Sequence, residues 1–199
     1  MIILSTDTSL PLLSVALLRD DELVGAVALE GKGSRNEKLL PSIDWLLSES
    51  GTNRNAIDLF AVTRGPGSFT GVRIGLATMQ GLALALGKPV CAMSTHEAIA
   101  FGEPGRVAVA DDAGRGELYV SVFEDGEEVI APHLAASVED EPRVIRVAEL
   151  LRSRNVAERC ARRARAIHER GLGERYRDVT PIYVRLAEAE VKLRQKQNA

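Results

Sequence analysis

Asp58-Leu-Phe-Ala-Val-Thr-Arg64, Gly65-Pro-Gly-Ser-Phe-Thr-Gly71, Val72 to Leu86 and Lys88-Pro-Val-Cys-Ala-Met93 follow one another without a break. Their patterns read as a strand, a glycine-rich turn, a helix and a second strand, one βαβ unit. Pro66 fixes φ, while Gly65 and Gly67 permit positive φ. Ser68 and Thr70 place hydroxyls at the helix start, where free N–H groups need acceptors and where a phosphate can also sit. Packing a helix onto a sheet demands the same residues and is the commoner use of such a turn. A P-loop would need a lysine after Gly71, where Val72 and Arg73 stand. The dinucleotide fingerprint G-x-G-x-x-G fails by one residue, its third glycine falling at Gly71.

Outward from this unit, 199 residues with 45% hydrophobic content suit one domain or two small ones. A net charge of −3 gives no reason to expect a polyanion partner. Cys91 and Cys160 lie in unlike contexts without metal spacing, which suggests a reduced, cytoplasmic protein. The N-terminus lacks the basic start of a signal peptide, and Val72–Leu86 is shorter than a membrane span, so no membrane is expected.

Upstream, Ile2–Thr6, Leu12–Leu18 and Leu23–Leu29 read as an antiparallel meander, and Gly31–Ser34 as a loop. A helix is expected from about Asn36 to Ser50, with Leu39, Leu40, Ile43, Leu46 and Leu47 on one face. Trp45 falls on the opposite, polar face. It is either an interface anchor or covered by a loop or a second domain. The helix after the glycine turn is apolar all round, so it must be covered all round. A second domain or another chain supplies that cover, and another chain is the favoured reading.

Downstream, Ser94-Thr-His-Glu97 has the spacing of a capping box for a short third helix. Gly102–Gly105 marks a boundary, dividing the chain into residues 1–102 and a shorter lobe, 103–199. Arg106–Ala110, Glu117–Phe123 and Glu127–Ala131 repeat the strand-meander pattern, with an Asp125-Gly126 hairpin. A strand ending in aspartate and leading into a meander thus occurs twice, at Asp7 and Asp111, as in a duplication. Arg143–Arg154 and Ala157–Gly171 read as helices, Thr180–Arg185 as an extended segment and Leu186–Gln195 as a polar helix or tail. The second of these helices is rich in arginine, but 20 arginines against 5 lysines make arginine the chain's ordinary cation, and a solvated face is favoured over an RNA stripe.

The histidines are scattered, no G-x-S-x-G is present and no metal-ligand spacing occurs, so no catalytic residue and no metal site is expected. Asp7 and Asp111 could hold magnesium and phosphates between two lobes, or simply end their strands.

Asp7-Thr-Ser9, Glu37-Lys-Leu-Leu-Pro41, Gly65 to Gly75, Asp112-Ala-Gly-Arg-Gly-Glu-Leu-Tyr119 and Pro181-Ile-Tyr-Val-Arg185 together resemble the TsaB (YeaZ) family. The resemblance implies a two-lobed α/β fold of the actin, hsp70 and sugar-kinase (ASKHA) type with a truncated second lobe. It implies a non-catalytic subunit of the tRNA threonylcarbamoyladenosine (t6A) machinery, paired with the paralogue TsaD, joined by the ATPase TsaE, forming a homodimer when alone, and meeting tRNA only through the complex. Thr95 and Ile99 stand where TsaD carries its metal-binding histidine pair. The expected partner face on the first two helices is Trp45, Arg73, Gly75, Leu76, Met79, Leu82 and Ala83. Asp7, Ser9, Gly65, Gly67, Ser68, Thr70 and Asp111 are the expected phosphate or nucleotide contacts, with ATP or ADP and magnesium held only within the complex and no cofactor held tightly by the chain alone. The alternative is a phosphotransferase or ATPase of the same fold using Asp7 and Asp111.

Overall fold

Ile2–Asp7 (β1), Leu12–Arg19 (β2) and Glu22–Glu30 (β3) form the antiparallel meander, with Ile2 opposite Arg19 and Leu12 opposite Glu30. Leu59–Thr63 (β4) pairs in parallel with β1, and Val90–Met93 (β5) in parallel with β4. The resulting order is β3-β2-β1-β4-β5. This computed structural model describes residues 1–30 and 35–185. The loop expected at 31–34 and the tail expected from Leu186 lie outside the described residues.

The strand period of two sends alternate side chains to opposite faces, and both faces of this sheet are apolar. Leu4, Phe60 and Val62 meet Leu39, Ile43 and Leu46 of Arg35–Glu49 (α1), together with Val72, Leu76 and Met79 of Phe69–Leu86 (α2). Ile3, Leu18, Leu59 and Ala61 point the other way, onto Cys160, Ala161, Ala164 and Ile167 of Val156–Glu169 (α5). Helix α5 comes from the far end of the chain yet packs on the first sheet rather than staying with the second. Its start is pinned there by polar contacts: Ser5 Oγ donates to Ala157 O, Ala157 N donates to Ser14 Oγ at 3.1 Å, and Asn155 Nδ2 donates to Val27 O at 3.1 Å.

Arg106–Gly114 (β6), Glu117–Glu124 (β7), Glu127–Ala135 (β8) and Val144–Arg146 (β9) make the second sheet, in the order β8-β7-β6-β9. Its first three strands form a meander, and β9 lies parallel to β6 just as β4 lies parallel to β1. The mixed α/β, two-sheet architecture is therefore the expected one, and the repeated strand order matches the duplication read from the two aspartates. Asp125 and Gly126 both take positive φ, 49° and 82°, which fits the primed turn of a tight hairpin.

One expectation fails. Residues 143–154 are not a helix: Val144–Arg146 joins the sheet, and only Val147–Leu150 (α4) is helical. Pairing with Ala108–Ala110 outweighs the local helical preference. The capping box is half realised as well. Ser94 Oγ accepts from Glu97 N at 2.8 Å at the start of Thr95–Ala100 (α3), but the Glu97 carboxylate turns away to Arg163 and Tyr176.

Two helical glycines in α2 separate packing from propensity. A Cβ at Gly75 would lie 2.4 Å from Thr8 Oγ1, whereas one at Gly81 would meet nothing within 4 Å. Gly81→Ala is expected to stabilise the isolated chain by about 0.5–1 kcal/mol, through lower entropy of the unfolded state. Gly75→Ala is expected to cost about 1–3 kcal/mol by overpacking despite the same helical gain. Urea unfolding of both variants measures the contrast.

Candidate functional site

The glycine turn is built by close backbone approach on two sides. A Cβ at Gly67 (φ 146°) would lie 2.4 Å from Ser9 O, and Ser68 N donates to that same oxygen at 2.7 Å. A Cβ at Gly65 (φ 97°) would lie 2.8 Å from Ile182 O, while Ile182 N donates to Arg64 O at 2.7 Å. Only glycine leaves room for both neighbours. The peptide bond between Gly65 and Pro66 is cis. Ser68 Oγ accepts from Gly71 N at 3.2 Å and caps α2, so this hydroxyl already serves the helix. Of the residues expected to meet phosphate here, Thr70 alone is exposed; Gly65 is buried, and Gly67 and Ser68 are half-buried.

Asp7 and Ser9 are sealed. Asp7 is fully buried, and its carboxylate accepts from Ser9 N, Ser9 Oγ, Thr63 Oγ1 and Leu10 N. Burial pushes its pKa up, opposed by the hydroxyls of Ser9 and Thr63 and by the backbone N–H groups of Ser9 and Leu10. Ser9 Oγ also lies 2.9 Å from Thr95 Oγ1, and Ile99 is buried in the apolar core between the sheets. Asp111, on β6, is half-buried and pushed up to about 6 by burial, with the negative charge of Asp7 adding to the shift. His96 is fully enclosed beside this seam. Its Nδ1 lies 2.8 Å from Ser121 Oγ, and burial pushes it down to about 3, leaving a neutral ring between α3 and β7. Among the described residues, the Asp7 carboxylate is closed to solvent in this conformation.

The exposed apolar surface lies elsewhere. Along α2, Gly75, Leu76, Met79 and Ala83 face the first sheet and are buried, which corrects their assignment to a partner face. The outward side consists of Arg73, Ala77, Gln80, Gly81, Leu84 and Ala85, with Leu82 half-buried at its edge. Leu84 is 83% exposed, and on neighbouring α1 Trp45 is 56% and Leu40 48% exposed. No loop or lobe among the described residues covers Trp45. Helix α2 is long and apolar enough to cross a membrane by composition alone, with mean hydropathy 1.3, but its inward side is packed in the first core. An all-apolar helix conceals its phase, which is why Leu84 could not be told from Ala83 in the sequence.

The segment after α5 straps the turn to the start of α2. Arg64 Nη1 donates to Asp178 at 3.0 Å and to Thr180 O at 3.2 Å. Tyr183 stacks on Phe69 at 4.6 Å and accepts from Arg73 Nε at 2.7 Å, while the Arg73 guanidinium lies 3.7 Å over the Phe69 ring. Arg185 then pairs with Glu117 on β7 of the second sheet. Sequence periodicity held no signal for this clasp, because it is aperiodic.

The arginines of α5 are engaged within the chain. Arg159 donates to the carbonyls of Ile99 and Phe101, the orphan acceptors at the end of α3, and to Glu103. Arg162 pairs with Glu158, Arg163 with Glu97, Arg165 with Asp21 and Glu169, and Arg170 with Glu127. The basic helix is a structural strut, in keeping with the reading that disfavoured an RNA stripe.

Residues 32–175 match the family model described as TsaD, tRNA N6-adenosine threonylcarbamoyltransferase. The tRNA threonylcarbamoyladenosine biosynthesis protein TsaB of Escherichia coli is 38% identical over 132 residues, 64% of this chain and 57% of that protein. The Bacillus subtilis protein of the same name is 32% identical over 127 residues, 62% of this chain and 56% of its own length. The chain thus spans little more than half the length of these curated relatives. A solved structure, YeaZ from Pseudomonas aeruginosa, aligns with a TM-score of 0.73 and 28% identity, covering 92% of this chain and 99% of that one.

The raised pKa of Asp111 carries a sign. A carboxyl whose folded pKa exceeds its unfolded value of 3.8 adds stability that is full below pH 3.8 and lost as pH rises through about 6. Asp111→Asn removes that loss. The stability of the variant relative to the parent is expected to rise between pH 4 and pH 7, read from urea midpoints at each pH. A constant difference across that range would show that Asp111 titrates normally.

Proposed function

This chain belongs to the TsaD family and to its TsaB (YeaZ) group, and on that premise we propose that it serves as a non-catalytic partner subunit in t6A synthesis. It pairs with TsaD through the outward faces of α1 and α2. The observation that carries this reading is the uncovered apolar surface of Leu40, Trp45 and Leu84 beside the small residues Ala77, Gly81 and Ala85. Small residues let a second helix come close, and an exposed tryptophan and leucine supply the large apolar area of an interface centre. The sealed carboxylate of Asp7 supports a role without chemistry of its own over the phosphotransferase alternative. Chemistry, tRNA contact, nucleotide, magnesium and the ATPase TsaE then enter through the partner. The same face accounts for a homodimer when TsaD is absent.

Leu84→Glu and Trp45→Ala are expected to abolish co-elution with TsaD on gel filtration. Both side chains are more than half exposed, so the variants should keep the parent's unfolding midpoint. A complex that survives both changes places the interface elsewhere.

A further inference from the structure

Helix α2 carries a single charged residue along its 18 positions, Arg73, and no carboxylate. Arg73 stands on the outward side, and Ala77, Gly81 and Leu84 follow it at the spacing of one helical stripe. An exposed arginine ordinarily keeps much of its rotamer freedom. This one is fixed in place. Its guanidinium lies 3.7 Å over the Phe69 ring and 5.5 Å from the Tyr183 ring, and the two rings stack on each other at 4.6 Å. Its Nε donates to the Tyr183 hydroxyl at 2.7 Å. With Nε spent, the Nη1 and Nη2 groups are the donors left to offer, and neither has a hydrogen-bond or ion-pair partner among the described residues.

The contrast lies within the clasp itself. Arg64 pairs with Asp178, and Arg185 pairs with Glu117. Arg73 receives an aromatic bed and a hydroxyl instead of a counterion. Stacking fixes the plane of a guanidinium without neutralising its charge. A planar fork held in one orientation matches a carboxylate through two parallel N–H···O bonds, and holding it beforehand lowers the entropy lost on pairing.

We propose that Arg73 is a specificity-determining anchor of the partner face: held by Phe69 and Tyr183, it receives an aspartate or glutamate carboxylate from the docked TsaD helix through its Nη groups. The inference rests on the pairing with TsaD proposed above and adds the charge that the partner must present. Continuity of the stripe commits the position to this occupant. Arg73 and Leu84 are eleven positions apart, about 16 Å along the axis, so one partner helix of ordinary length that covers Leu84 and lies along α2 also reaches Arg73. Tyr183 is then a positioning residue, and the strap after α5 becomes part of a face otherwise built from α1 and α2.

The test is surface plasmon resonance of TsaD on the full chain across a NaCl series. Arg73→Gln is expected to weaken TsaD about tenfold or more at low salt, the scale of one charged hydrogen bond, and to flatten the decline of affinity with salt. Arg73→Lys keeps the charge without the fork, so it should restore the salt dependence but not the affinity. Tyr183→Phe keeps the stacked ring and removes the hydroxyl. It should weaken TsaD about threefold in the parent and not at all in the Arg73→Gln background, because the hydroxyl acts only through the guanidinium. Arg73→Gln changes an exposed side chain and should keep the parental unfolding midpoint. Parental affinity in Arg73→Gln, with the complex still abolished by Leu84→Glu, overturns the anchor and leaves the face standing. A loss of affinity that keeps the parental salt dependence makes Arg73 a packing residue and overturns the anchor as well. If Leu84→Glu leaves the complex intact, the face is wrong and the anchor falls with it.

Discussion

The geometry of the first sheet rests on one contact, the approach of Ser9 to Gly67. Ser9 O takes the hydrogen bond from Ser68 N, and any side chain at position 67 would drive into that carbonyl. The contact sets where α2 begins and hence which of its residues face β1 and β4. It also brings Thr8 against the helix, where its hydroxyl donates to Gly71 O at 2.6 Å and crowds Gly75. Beneath it, the Asp7 carboxylate gathers the loop from Ser9 to Leu10 and the end of β4 through four acceptor contacts. An arrangement that resembles a phosphate cradle in composition has its polar groups turned inward and satisfied by the chain itself.

Several levels of this organisation are legible from the residues. The βαβ unit, the two meanders and the tight Asp125-Gly126 turn follow from period and turn chemistry, which are local properties. The outer face of α2 was legible only as a surplus: α2 has more apolar residues than one sheet can cover, so an outer side had to exist, but not which residues formed it. Trp45 was readable because it breaks the pattern of a polar face. Residues 143–154 misled because a short parallel strand gains its stability from Ala108–Ala110, far away in sequence. The clasp of Arg73, Tyr183 and Arg185 and the trio of Glu97, Arg163 and Tyr176 join positions with no sequence relationship, so only the fold reveals them.

The arginine-rich helix is instructive in the same way. Composition makes it a candidate polyanion surface, yet its cations are distributed one by one to carboxylates and helix-end carbonyls of the core. Partly buried ion pairs of this kind contribute less to net stability than their number suggests. What they do specify is where α5 lies, because a shifted helix would strand several charges at once.

That return of α5 to the first sheet bears on how the protein emerges from the ribosome. Ile3, Leu18, Leu59, Ala61 and Met93 belong to the first half of the chain, but their apolar cover, from Cys160 to Ile167, is translated more than sixty residues after Met93. The end of α3 likewise waits for Arg159 to satisfy its carbonyls. Until then the nascent sheet presents one finished face and one naked one, the kind of surface that chaperones hold and that neighbouring chains seize.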